Sequence, residues 1–298
     1  VSAATQWFDA NLITVINGLA YGLLLYTLAI GLSLVFGMLN LLNLAHGTFF
    51  LAGAYAAAVL VAPGGAWLSW VLALSVALAL GAVAGVGLTA VTRPLARRGH
   101  MAEALLTLGI SMAGSSLLLW VFGADVRSVP APAGLDGGVT LFGDPYPVYR
   151  LVLIGFGLVI AVLAEVILER TMTGAVVRAI VADADIVRTL GIDTRKILYG
   201  VLAAGSALAV VAGVLGGPLL GAGPGLDGHV LLIALVVVVI GGMGSARGAL
   251  IGGLLIGQVQ TLGTALAPEV APFLIFGAMA LILVVRPHGL LNRAEATA

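Results

Sequence analysis

Long apolar runs follow one another along this chain, with short polar interruptions between them. Nine such segments can be traced, at roughly 11–37, 47–62, 67–91, 102–122, 149–168, 198–221, 229–243, 248–266 and 271–285. The runs are continuous, which predicts helices; a membrane β-barrel would alternate every second residue instead. A helix crossing a bilayer takes about 20 residues. The segments 47–62 and 229–243 are short for that and suit broken or re-entrant helices lined by protein. The expected fold class is all-α: a polytopic transmembrane helical bundle of eight or nine membrane segments, forming one domain over residues 1–298.

Composition supports lipid as the solvent. Hydrophobic residues make up 61% of the chain and charged residues 9%, against about 25% charged in soluble domains. Mean hydropathy is +1.18. Glycine is abundant, at 42 residues, and several glycines stand four apart: Gly18 and Gly22, Gly81 and Gly85, Gly248 and Gly252, Gly253 and Gly257. That spacing lets membrane helices approach closely. The absence of cysteine excludes disulfides and thiolate metal sites. A net charge of zero gives no sign of nucleic-acid binding. The opening VSAATQWFDAN lacks the basic stretch of a signal peptide, so the first apolar run is expected to remain as a membrane helix.

Charge orients the bundle. If all nine segments cross, every Lys and Arg except Arg127 and Arg150 falls on one side. Asp9, Asp125, Asp136, Asp144, Asp227 and Glu269 fall on the other. The positive-inside rule then places the carboxyl end in the cytoplasm. Residues 169–197 become the long cytoplasmic loop, and the Pro-, Gly- and Asp-rich stretch 123–148 the largest outer loop.

Three stretches stand out for their chemistry. In NLLNLAHG, Asn40, Asn43 and His46 recur every three residues, near one face of a helix. Polar groups among so much hydrocarbon need partners. They either line a polar pathway or bridge helices through hydrogen bonds near the inner boundary. The second stretch, TGAVVRAIVADADIVRTLGIDTRK (173–196), reads as a short amphipathic helix. Val177, Ile180, Ala184 and Val187 form its apolar stripe; Arg178, Asp185 and Arg188 lie on another face, and Gly191 ends it. Its near balance of charge favours a protein partner over a lipid surface. In the third, VVVVIGGMGSARGALIGGLLIG (236–257), Gly241, Gly242 and Gly244 permit either an unwound gate or a tight turn. There is no phosphate-binding G-x-x-x-x-G-K-[ST] loop and no HExxH. Among intramembrane carboxylates only Glu165 approaches a span interior, so the energy for transport is expected to come from outside this chain.

The run GLAYGLLLYTLAIGLSLVFGMLNLLNLAHGTFFLAGAY resembles the start of the permease subunits of branched-chain amino acid ABC importers, the LivH type. So do TGAVVRAIVADADIVRTLGI, GGMGSARGALIGGLLIG and RPHGLL, in that order and over most of the chain. The resemblance implies a permease domain in a bacterial inner membrane, driven by alternating access. It implies a second related permease, two ATPase subunits carrying the ATP and Mg, and an extracytoplasmic solute-binding protein. No cofactor and no catalysis are expected in this chain itself. Gly174, Arg178, Asp183, Asp185, Arg188 and Gly191 fall in the ATPase-contacting region that it implies. Asn40, Asn43, Ala45, His46 and Gly47 fall in its asparagine–alanine–histidine–glycine signature, where Thr48 takes a position often acidic in relatives. The competing readings are a stand-alone channel or facilitator for a small neutral solute such as urea or a short amide, and a scaffold with no pathway.

Overall fold

The computed structural model describes residues 3–39, 43–61, 65–141, 144–287 and 289–291. The chain is a polytopic helical bundle. Each apolar segment forms a helix: α1 (Ala3–Leu39), α2 (His46–Leu60), α3 (Trp67–Thr92), α4 (His100–Phe122), α5 (Val148–Arg170), α8 (Thr194–Leu220), α9 (Leu226–Gly241), α10 (Ala246–Leu266) and α11 (Ala271–Val285). Two short helices, α6 (Met172–Ala182) and α7 (Ala184–Thr189), lie between α5 and α8. A 3-10 turn, Arg93–Arg98, joins α3 to α4. Among the described residues, six helices are long and apolar enough to cross a membrane. α2, α9 and α11 are shorter, at 15, 16 and 15 residues. At 1.5 Å per residue they reach only about 23–24 Å, less than the ~30 Å hydrocarbon core.

α1 and α8 form the enclosed centre, while α4 and α5 present most of their surface outward. α1 packs against α10 and α8, and α8 also takes α2 and α3. These contacts are made where glycine removes a side chain. Gly22 of α1 meets the Gly253 carbonyl and Leu254 of α10, and Gly257 meets Gly18 and Gly22. Gly81 and Gly85 of α3 lie against Ala207 and Leu202 of α8. Gly53 of α2 meets the Val210 carbonyl while Gly213 of α8 meets that of Phe50. Gly248 and Gly252 of α10 lie against the Gly241 and Val237 carbonyls of α9, so each of the four pairs named from the sequence sits at a close helix approach. In a bilayer, where lipid is as apolar as the side chains, such close packing is a main source of helix association.

The stretch 123–148 contains a small hairpin, β1 (Gly138–Leu141) paired antiparallel with β2 (Asp144–Pro147). It buries Tyr146. No period-2 signal of useful length marks it in the sequence. Main-chain bonds in both directions tie Arg127 of this stretch to Ala222, between α8 and α9.

Candidate functional site

Asn40 lies outside the described residues. The other two polar residues of NLLNLAHG do not share a helical face, contrary to the expectation from their spacing. α1 ends at Leu39, residues 43–45 form a turn, and α2 begins at His46. The reason is the amide of Asn43. Its Oδ1 accepts from the Ala45 N–H at 3.1 Å, and its carbonyl accepts from the His46 N–H at 3.3 Å. Such local side-chain bonds compete with helix and start a new one. They matter here because the N-cap residue, Ala45, has no side-chain cap to offer.

The turn is also deeper than its place next to α1's end implies. His46 Nε2 donates to the Leu28 carbonyl at 3.0 Å. Leu28 lies about three turns back from the end of α1, roughly 16 Å along its axis. Asn43 and His46 are buried inside the bundle, at 1% and 0% exposure. A carbonyl only accepts, so Nε2 carries the ring proton. Nδ1 of His46 and Nδ2 of Asn43 have no partner among the described residues.

From this turn a row of hydroxyls follows α4. Thr107 Oγ1 accepts from the Leu44 N–H at 3.3 Å. Thr48 Oγ1 lies 2.9 Å from Ser111 Oγ and 3.3 Å from Ser115 Oγ. Ser115 donates to the Asp227 carboxylate in the first turn of α9. The contact is close because Gly47 of α2 lies against the Asp227 main chain and Leu231. Thr107, Ser111 and Ser115 were not among the residues the sequence singled out, and Asp227 was named only for its charge. The available signal was the spacing of four in TLGISMAGS, which puts the three hydroxyls on one face of α4.

Gly241, Gly242 and Gly244 lie elsewhere, at the other end of α9, and form a compact turn into α10. Gly242 and Gly244 take φ of 97° and 78°, a left-handed region that disfavours other residues. Ser245 caps α10 by accepting from the Gly248 N–H at 3.0 Å. The Gly244 N–H donates to the Ser33 carbonyl of α1 at 3.2 Å. Beside the turn, Arg247 forks onto Glu165 of α5, with Nε 3.0 Å from each carboxylate oxygen.

The 173–196 stretch keeps its apolar stripe but is not one helix, which corrects the single amphipathic helix read from its periodicity. Asp183 breaks it, with φ −159° and ψ 103°. Its Oδ1 accepts from the Asp185 and Ile186 N–H groups at 2.9 and 3.0 Å, the usual work of an N-cap aspartate. Thr171 caps α6 through the Gly174 N–H, and Gly174 lies against the Ile167 and Leu168 carbonyls. Val177, Ile180 and Val187 are buried with Met38 of α1. Arg178 pairs with Glu169 of α5 at 3.4 Å, and Arg188 with Asp185 at 2.8 Å. Gly191, at φ 78°, turns the chain toward α8. Val181 of α6 touches both Gly37 and Gly244, so this segment bears directly on the glycine turn.

Asn43→Leu removes the acceptor of a buried N–H and should destabilise the fold by about 1–3 kcal/mol. Asn43→Ser, which can still form a local turn, should lose less. Thermal unfolding of the purified protein reads both; equal midpoints for Asn43→Leu and the parent would show that the turn does not depend on this amide.

Apolar helices with a partly buried polar row between them, and a capped segment set beside them, define a multi-pass membrane protein of the transporter class. The chain belongs to the family described as branched-chain amino acid transport system / permease component, whose pattern matches residues 14–285. It is 28% identical to the high-affinity branched-chain amino acid transport system permease protein BraD of Pseudomonas aeruginosa, covering 94% of this chain and 95% of the relative. It is 29% identical to the corresponding protein LivH of Salmonella typhimurium, covering 94% of each. It is 28% identical to a probable branched-chain amino acid transport permease protein LivH of Methanocaldococcus jannaschii, covering 92% of this chain and 90% of the relative. No solved structure matches the chain.

Proposed function

We propose that this chain is the membrane-spanning permease subunit of an ATP-driven ABC importer for branched-chain or related small amino acids, in a bacterial inner membrane with its carboxyl end in the cytoplasm. Its partners are a second related permease, two ATP-binding subunits that carry the ATP and Mg, and an extracytoplasmic solute-binding protein. The observation that carries this reading is the family match, which runs through the α6–α7 segment and the glycine-rich stretch 236–257.

The geometry supports a mechanical route. α6 and α7 are anchored to the bundle by one face, through Val177, Ile180 and Val187. Their other side presents Met172, Ile186 and Leu190 at 82%, 60% and 72% exposure, apolar groups suited to a protein partner. A push there passes through Val181 to Gly37 and Gly244, and along α9 toward the buried polar row. Alternating access needs two arrangements of the bundle that bind the substrate differently. Asn43, His46 and the α4 hydroxyls are the pathway residues in this reading, and the glycine turn is its cytoplasmic hinge.

The test is co-expression with the candidate partner subunits, followed by uptake in proteoliposomes. An ABC importer requires the ATPase to co-purify and leucine uptake to depend on ATP and on the binding protein. Uptake of urea or a short amide by this chain alone, without ATP, would instead identify a facilitator.

A further inference from the structure

The covered side of α4 is its polar side. Glu103, Thr107, Ser111 and Ser115 stand four apart and align along about 18 Å of the helix. Glu103 and Thr107 are buried, at 5% and 0% exposure, whereas the apolar Met101, Leu105, Leu108 and Met112 around them are exposed. The row of hydroxyls therefore continues past Thr107 to a buried carboxylate that the pathway above does not use. Glu103 lies in the first turn of α4, where the helix dipole favours an acid. The dipole accounts for an acid in this turn and not for its burial, which costs free energy in an apolar bundle.

Glu103 lines a cavity of about 190 Å³ at this end of the row. Thr92 of α3 and Tyr199 of α8 share the lining, and so do Ile180, Ala184 and Arg188 of the α6–α7 segment. Arg188 ties that segment to α8, its Nε donating to Thr194 Oγ1 at 3.3 Å. Arg93, Arg188, Thr194 and Arg195 also line a second cavity of about 790 Å³, so the two adjoin. The three arginines are exposed and bring the second cavity to the protein surface. The positive-inside pattern accounts for arginines at the ends of spans. It does not account for a cavity among them into which the polar side of a helix leads.

We propose that the Glu103 cavity is the cytoplasmic mouth of the solute pathway, with α6–α7 as its movable wall. The α4 hydroxyls offer a solute successive hydrogen bonds down to Glu103, and the arginine-lined cavity beyond leads to the cytoplasm. Ile180 and Ala184 reach the mouth from the same segment whose other side presents Ile186 and Leu190 outward. A displacement of that segment changes the opening directly, without passing along α9. This inference deepens the reading given under Proposed function and rests on it, because that reading supplies the solute and the ATPase.

The chain contains no cysteine, so one introduced thiol can be followed in the assembled importer. Proteoliposomes are prepared with the ATP-binding subunits facing outward, and with the binding protein and radiolabelled leucine inside. A membrane-impermeant thiosulfonate is added to the medium. Thr92→Cys should be labelled, at a rate that differs at least about tenfold between nucleotide-free and ATP-bound complexes. Complete labelling should reduce its ATP-dependent leucine release to background, because the added group fills the mouth. Ala79→Cys, on the exposed side of α3, should stay unlabelled, since a thiol in lipid does not form the reactive thiolate. A Thr92→Cys thiol that is never labelled, or is labelled at one rate in both states, would overturn the movable mouth. So would undiminished leucine release after complete labelling, which would put the cavity off the pathway. A parent without ATP-dependent leucine transport would overturn the reading under Proposed function instead; the labelling needs no leucine and is scored separately. If Thr92→Cys fails to assemble, Tyr199→Cys on α8 takes its place, with the same outcomes.

Discussion

Gly53→Ala should abolish correct assembly of this permease, although the substitution adds one methyl group and ordinarily favours helix by about 1 kcal/mol. A Cβ at Gly53 would collide with the Val210 carbonyl, in the backbone of α8, and no rotamer change can relieve that. The neighbouring crossing is reciprocal: Gly213 of α8 meets the Phe50 carbonyl of α2. α2 would have to lift away from α8, the helix it packs against most extensively. The penalty should exceed the ~1–3 kcal/mol typical of an overpacked core. Gly155→Ala on α5 is the matched control, because a Cβ there meets nothing within 4 Å. Yield and monodispersity in detergent, with thermal unfolding, measure the difference. Equal behaviour of the two variants would mean that α2 does not depend on this close approach.

That dependence on glycine was legible in the sequence only where the spacing was four within one helix, as at Gly81 and Gly85. Gly53 and Gly213 sit on different helices, and no local pattern links them. Apart from the start of α1, read at 11 and found at Ala3, the apolar runs located the helices to within a few residues: 229–243 was read for α9, which spans Leu226–Gly241. Hydropathy reports which residues avoid water, and lipid-facing and core-facing helices share that property. The depth of the Asn43 turn could not be read in this way. Its spacing of three fits a continued helix, and only the Leu28 carbonyl against His46 reveals that the chain doubles back into the bundle. The break at Asp183 is a different kind of omission. An aspartate capping the following turn was visible in ADADIV, but the apolar stripe ran through it and favoured one helix. For Asp227, the charge pattern gave a side of the membrane and nothing about its neighbours, because Ser115 is far off in sequence.

The largest functional loss is expected at the exposed side of α7. Ile186→Asp combined with Leu190→Asp should leave a folded permease that no longer retains its ATPase, and leucine uptake should fall to background. Folding should survive because α7 is held from its other side. Val187 is buried with Met38, Val177 and Ile180, and Asp183 still caps the helix. Ile186 and Leu190 are instead 60% and 72% exposed, so their replacement removes no internal packing. At a protein interface, apolar anchors of this size contribute on the order of 1–2 kcal/mol each, so losing both should weaken association at least about thirtyfold. Arg188→Glu is the informative partner variant. It breaks the pair with Asp185, but that pair is solvent-exposed on both sides, and exposed pairs contribute only ~0–1 kcal/mol to folding. Arg188 Nε also donates to Thr194 Oγ1 of α8 at 3.3 Å, so thermal unfolding is measured alongside; a large effect of Arg188→Glu on transport with an unchanged midpoint comes through a partner. Pull-down through a tagged ATPase subunit and ATP-dependent uptake are measured on the same preparations. Retained ATPase and normal uptake in the double variant would take α7 out of the coupling route and leave its apolar side as a surface lying against the membrane.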